Sequence, residues 1–160
     1  MLILTVVLLV IICDILSKYL VVQLLAPLER SVTFIPKVID FTFVKNKGAA
    51  FGMLSNHRWI FMSVSVILIF GLIYILKKSE KEHILYKISL AMILGGGISN
   101  MIDRIFLGYV VDFIEFTFFD FAVFNIADSA ITIGMACLIV YFVFVDKTFF
   151  KKTDKGERDV

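Results

Sequence analysis

The sequence predicts an all-α polytopic membrane protein, with four transmembrane helices and a small extracytoplasmic β-sheet. Three observations lead there. First, 60% of the 160 residues are hydrophobic, 17 are Phe and only 19% are charged, with a mean hydropathy of +0.96. Soluble domains are nearer half apolar and about a quarter charged. Second, four segments, about 2–22, 59–76, 84–106 and 122–145, are long and apolar enough to cross the roughly 30 Å hydrocarbon core as helices of about 20 residues. Third, the sizeable stretch between the first two, residues 23–58, alternates apolar and polar residues in "VTF" and "IDFTFV", the period of a strand. At this length one integral membrane domain is expected over 1–160.

The first segment resembles a secretory signal in length only. It has no basic leader and no small-residue cleavage site, and Asp14 and Lys18 interrupt it, so it reads as a retained helix. Cys13 follows bulky Ile11 and Ile12, which argues against lipid attachment there. In the loop at 23–58, Pro36 and the turn signal "KNKG" punctuate the strand-like runs, and a small sheet on the outer face is expected. Trp59 opens the second segment as an interfacial anchor.

Orientation follows from the basic residues. The hairpin after the second segment carries Lys77, Lys78, Lys81 and Lys87, and the tail, 146–160, carries Lys147, Lys151, Lys152, Lys155 and Arg158. Arg30, Lys37, Lys45, Lys47 and Arg58 of the first loop weaken the asymmetry, but the even span count and the basic tail place both termini in the cytoplasm.

A net charge of +2 is too small to argue for nucleic acid. Cys13 and Cys137 lie inside separate apolar runs, and His57 and His83 lie far apart. No disulfide framework, metal site or other cofactor is therefore expected.

Each ionisable group inside a span costs about 2.5–3.5 kcal/mol on insertion scales and calls for a reason. Asp14 and Lys18 are four residues apart, in the order that favours an ion pair on one helical face. The third segment ends in "GGGISNMIDRIFLG", which places Asn100, Asp103 and Arg104 within about one turn. Its three glycines suit close backbone approach. The fourth opens in "FNIADSAIT", with Asn125, Asp128 and Thr132 on one helical face. In an up-down-up-down bundle, all these polar residues, and Asp112, fall at the outer side. Such segregation marks a site.

The stretch "VVDFIEFTFFDFAVFNIADS", residues 110–129, holds Asp112, Glu115, Asp120 and Asp128 with no basic residue among them. Glu115 and Asp120 read as solvated acids of an aromatic loop at the membrane surface. Asp112 and Asp128 are the candidates for chemistry. If they meet, like-charge repulsion in a low dielectric makes the pair share a proton, as in aspartic proteases. Spacing alone equally allows a proton relay in a small proton-coupled transporter, and a binding-only membrane chaperone or subunit is a third reading.

Four pieces decide among these: "DILSK" (14–18), "NKGAAFG" (46–52), "GGGISNMIDRIFLGYVVDFI" (95–114) and "FNIADSAI" (124–131). In this order they closely resemble the lipoprotein signal peptidases (signal peptidase II), bacterial membrane aspartic peptidases. The resemblance implies a four-helix membrane fold with an extracytoplasmic sheet-like cradle, in the bacterial cytoplasmic (inner) membrane. It implies cleavage of diacylglyceryl-modified prolipoproteins just before the lipidated cysteine, by a monomer working amid membrane lipid. The catalytic dyad carries over to Asp112 and Asp128. Asp14, Lys18, Asn46, Gly48, Asn100, Asp103, Arg104, Asn125 and Ala127 carry over as supporting, orienting or substrate-contacting positions. Asn46 and Gly48 are expected to meet an extended peptide backbone, and Asn100 and Arg104 to position the catalytic loop or bind substrate carbonyls. The phenylalanine-rich loop departs from the tryptophan or histidine common there, with consequences for interfacial anchoring and loop closure.

Overall fold

The computed structural model describes residues 1–28, 30–48, 58–79 and 82–146. Helix α1 (Leu2–Leu24) leads through a short 3-10 turn (Ala26–Leu28) to strands β1 (Val32–Ile35) and β2 (Ile39–Asn46). Helices α2 (Arg58–Lys78) and α3 (Ile84–Phe106) follow, then strand β3 (Val110–Phe116) and helix α4 (Ile126–Val140), whose end winds on as a π-helix (Tyr141–Val145). The chain is mostly helical. Among the described residues three helical stretches, Leu2–Leu28, Ile84–Phe106 and Ile126–Val145, are long and apolar enough to cross a membrane. The basic tail beyond Asp146, Lys81 of the hairpin and residues 49–52 of the second motif lie outside the described residues.

Helix α3 packs against each of the other three, and its glycines explain how. A Cβ at Gly95 would meet the carbonyl oxygen of Val7 and the Cβ of Val10 on α1, both at 3.0 Å. One at Gly96 would collide with the carbonyl oxygen of Ala127 on α4, while Gly97 has Ile69 of α2 as its nearest neighbour at 4.0 Å. Small residues let membrane helices meet backbone to backbone. Val7, Ala91 and Leu94 form the apolar centre, with Ile69 and Leu72 of α2 against them. Leu4, Ile67, Leu68, Phe70 and Ile139 are exposed, a distribution that in water would mark an aggregation-prone surface and in a bilayer is ordinary.

The sheet is antiparallel throughout, in the order β1-β2-β3. Strands β1 and β2 join through a tight turn in which the N–H of Val38 donates to the carbonyl of Ile35 (3.0 Å), with Pro36 second and Lys37 at a left-handed φ of 63°. The third strand departs from the loop expected after span three. Its first four residues, Val110, Val111, Asp112 and Phe113, are all buried, so the polar-apolar alternation that reveals a strand is missing there. Gly108, at a φ of 82°, turns the chain out of α3 while the N–H groups of Leu107 and Gly108 donate to the carbonyl of Asp103 (2.8 and 3.2 Å). Val111 and Phe113, with Phe41 and Phe43, pack on Val21, Val22 and Leu25 at the end of α1, which seats the sheet on the bundle.

Glu115 is also not a loop acid. It lies half-buried on β3, opposite Asp40 of β2. Asp120 is exposed, as expected. Around it Phe116, Phe118, Phe119, Phe121 and Phe124 form one aromatic knot, with neighbouring ring centroids 4.6–6.0 Å apart. Phe118, Phe119 and Phe121 are largely exposed.

Candidate active site

The polar residues converge in two layers. The inner layer begins with Asp14 and Lys18, one turn apart on α1 and both buried, with their charged groups 2.6 Å apart. The pair is not self-contained. Lys18 Nζ also reaches Asp103 Oδ2 (3.0 Å) and donates to Asn100 Oδ1 (2.9 Å), so all three ammonium protons have acceptors. Asp14 accepts from the hydroxyl of Ser99 (2.7 Å) and from the backbone N–H of Ala127 (2.8 Å). That N–H belongs to the first turn of α4, where helical N–H groups lack internal partners and favour a carboxylate. Asp103 also accepts the N–H of Val111 (3.1 Å). Through these bonds α1 ties both β3 and the start of α4 to α3.

The outer layer is built on this frame. Helix α4 starts at Ile126 rather than at 122, because Asn125 is its N-cap. The Asn125 side-chain oxygen accepts the N–H of Asp128 (2.9 Å), and Asp128 Oδ2 accepts the N–H of Asn125 (3.2 Å), a reciprocal capping box. Asn125 Nδ2 meanwhile donates to Asp112 Oδ1 (2.7 Å). One asparagine thus links both carboxylates. The other oxygen of Asp112 accepts from Asn46 Nδ2 (2.8 Å), and Asp128 Oδ1 accepts from Asn100 Nδ2 (2.7 Å). Every oxygen of the two carboxylates therefore has an asparagine N–H donor.

Each amide is held in orientation by its other end. Asn46 Oδ1 accepts the N–H of Gly48 (2.9 Å) in a small turn, which directs its amino group at Asp112. Register explains the reach: Asn46 lies opposite Val110, so Asp112 is its diagonal neighbour across the strands. Asn100 Oδ1 is taken by Lys18 and by Asn125 Nδ2 (3.2 Å), which directs its amino group at Asp128.

Asp112 and Asp128 open on one cavity of about 490 Å3. Asn46, Gly48, Arg104, Ser129 and Thr132 contribute polar wall, and Phe116, Phe121, Phe124 and Ile133 apolar wall. Burial raises the Asp112 carboxyl from 3.8 to about 6; the bond from Asn46 opposes that shift and the charge of Asp128 adds to it.

A family model described as Signal peptidase (SPase) II matches residues 6–144. The chain belongs to the signal peptidase II family. Proteins named lipoprotein signal peptidase resemble it along most of their length. That of Caldanaerobacter subterraneus is 47% identical over 135 residues, which cover 84% of this chain and 91% of the relative. That of Symbiobacterium thermophilum is 39% identical over 139 residues, 86% and 91% of the two chains. A solved structure described as a bacterial membrane enzyme superposes with a TM-score of 0.82 at 29% identity, over 91% of this chain and 90% of its own. A second, with the same description, gives 0.79 at 30% identity, covering 89% and 93%.

The residues singled out by resemblance to signal peptidase II all fall in these two layers. Asp14, Lys18, Asp103 and Ala127 form the frame; Asn46, Gly48, Asn100 and Asn125 orient the carboxylates; Arg104 is on the cavity wall, its Nη1 donating to the carbonyl of Asn100 (3.2 Å). Asn46 directs its amide to Gly48 and Asp112. Asp103 pairs with Lys18 of another helix. Arg104 of α3 places a cation on the cavity wall. Ser99 was missed altogether; its one signal is a hydroxyl beside Asn100 in an otherwise apolar turn.

Proposed function

We propose that the chain is a membrane aspartic endopeptidase that removes the signal peptide from diacylglyceryl-modified prolipoproteins, cutting just before the lipidated cysteine. The observation that carries the reading is the pair Asp112 and Asp128. They come from different elements, are hydrogen-bonded by asparagines at all four oxygens, and open on one largely apolar cavity. The names of the relatives support the substrate class.

The pair holds one proton between two carboxyl groups in a low dielectric. The ionised member removes a proton from water as the oxygen attacks the scissile carbonyl. The protonated member donates to the carbonyl oxygen, where negative charge develops, and Arg104 on the cavity wall favours that charge. Collapse of the tetrahedral intermediate breaks the C–N bond, and the proton taken from water passes to the leaving amine of the lipidated cysteine. Asn125, bonded to both carboxyl groups, keeps them facing the same substrate atom.

In this reading a single membrane domain of four spans places both termini in the cytoplasm, and the sheet and cavity at the extracytoplasmic face of a bacterial inner membrane. A substrate anchored by its lipid meets the enzyme in the bilayer as a monomer, without a cofactor. The transporter reading needs polar groups along a path across the membrane, whereas the cluster sits at one end of the bundle.

Purified protein incubated with one prolipoprotein in lipidated and unlipidated form tests the proposal. Cleavage of the lipidated form alone is expected. Equal cleavage of both forms contradicts the substrate class, and acid-driven flux in liposomes without any cleavage favours the transporter.

A further inference from the structure

Residues 121–124 connect the aromatic knot to α4, with Phe124 in an antiparallel bridge to Ile114, and all four line the cavity. Phe124 directs its N–H to the carbonyl of Ile114 (3.0 Å) and accepts from the N–H groups of Phe113 and Ile114 (3.0 and 2.8 Å). Across the trans peptide, the C=O of Val123 therefore points away from β3. Among the described residues nothing hydrogen-bonds the main chain of Phe121, Ala122 or Val123.

Main-chain polar groups in an apolar setting require partners, and this edge lies beside phenylalanines and borders the cavity of Asp112 and Asp128. A ligand that presents N–H and C=O at strand spacing is an extended peptide, which binds such edges by strand addition. We propose that residues 121–124 are the strand on which the substrate's peptide backbone is laid, with the N–H and C=O of Val123 making the central pair of main-chain hydrogen bonds. This rests on the peptidase reading and adds the element that holds the peptide beside the carboxylates.

The test uses lipidated substrates in which one amide near the scissile bond is replaced by an ester, which keeps the shape and removes the donor. One of these replacements should lower kcat/KM about tenfold, the effect of one lost main-chain hydrogen bond. In parallel, Val123→Pro, which lacks the N–H, should raise KM about tenfold over wild type with kcat retained. If Val123→Pro fails to fold, the ester series decides alone. Esters that all react like the amide substrate overturn the inference, as does a folded Val123→Pro variant with the wild-type KM. Failure of the wild-type protein to cleave the all-amide substrate overturns the peptidase reading and this inference with it.

Discussion

Asp112 sits where burial and hydrogen bonding pull in opposite directions. Its carboxyl is raised from 3.8 to about 6 by burial, despite the amides of Asn46 and Asn125. The protonated form therefore favours the fold: the stabilisation is complete below about pH 4 and is lost as pH rises through about 6, on the order of 3 kcal/mol in all. Asp112→Asn cannot titrate, so it should flatten the dependence of Tm on pH between 4 and 8; an unchanged slope contradicts the assignment. Asn46→Ala removes a bond that favours the ionised form, so it should raise the Asp112 midpoint, as read from a pH titration of its carboxyl infrared band. At this scale the sequence was informative because ionisable residues in apolar segments are conspicuous. It could not show which carboxylate each asparagine side chain serves, since the three side-chain bonds join residues 13 to 66 positions apart.

At the scale of elements, the three glycines of α3 are not equivalent. Gly96 lies against the main chain of Ala127, one residue before Asp128, and a peptide group cannot yield as a flexible side chain can. Gly96→Ala should cost about 1–3 kcal/mol in unfolding experiments and lower activity by displacing the start of α4. Gly97→Ala, with 4.0 Å to its nearest neighbour, should leave both close to wild type. Equal effects of the two would mean that α3 and α4 do not meet as described. The helices were legible from long apolar runs. Strand β3 was not, because Val110 to Phe113 are all buried, lack the polar-apolar alternation of a strand, and read as part of the loop after the third span. The start of α4 was misplaced by four residues, since residues 122–124 continue the apolar run although Asn125 caps the helix.

At the scale of the whole molecule, the polar network occupies one end of a bundle whose helices expose apolar side chains such as Leu4, Ile67, Phe70 and Ile139 along their length. The topology proposed above gives that end to the extracytoplasmic side. In a variant lacking Cys13 and Cys137, a membrane-impermeant maleimide on intact cells should label Asp120→Cys and not Lys152→Cys; the reverse pattern inverts the topology. The segregation of charge in the sequence foretold one site, but the aromatic knot beside it emerged only in three dimensions, where five phenylalanines from β3 and the following segment meet. The central claim is that Asp112 and Asp128 act as one catalytic unit, and the most direct measurement is conversion of a lipidated prolipoprotein by purified Asp112→Asn and Asp128→Asn. Each single variant should lose conversion almost completely while retaining membrane insertion and a cooperative melt. Wild-type conversion by either folded variant would contradict the account.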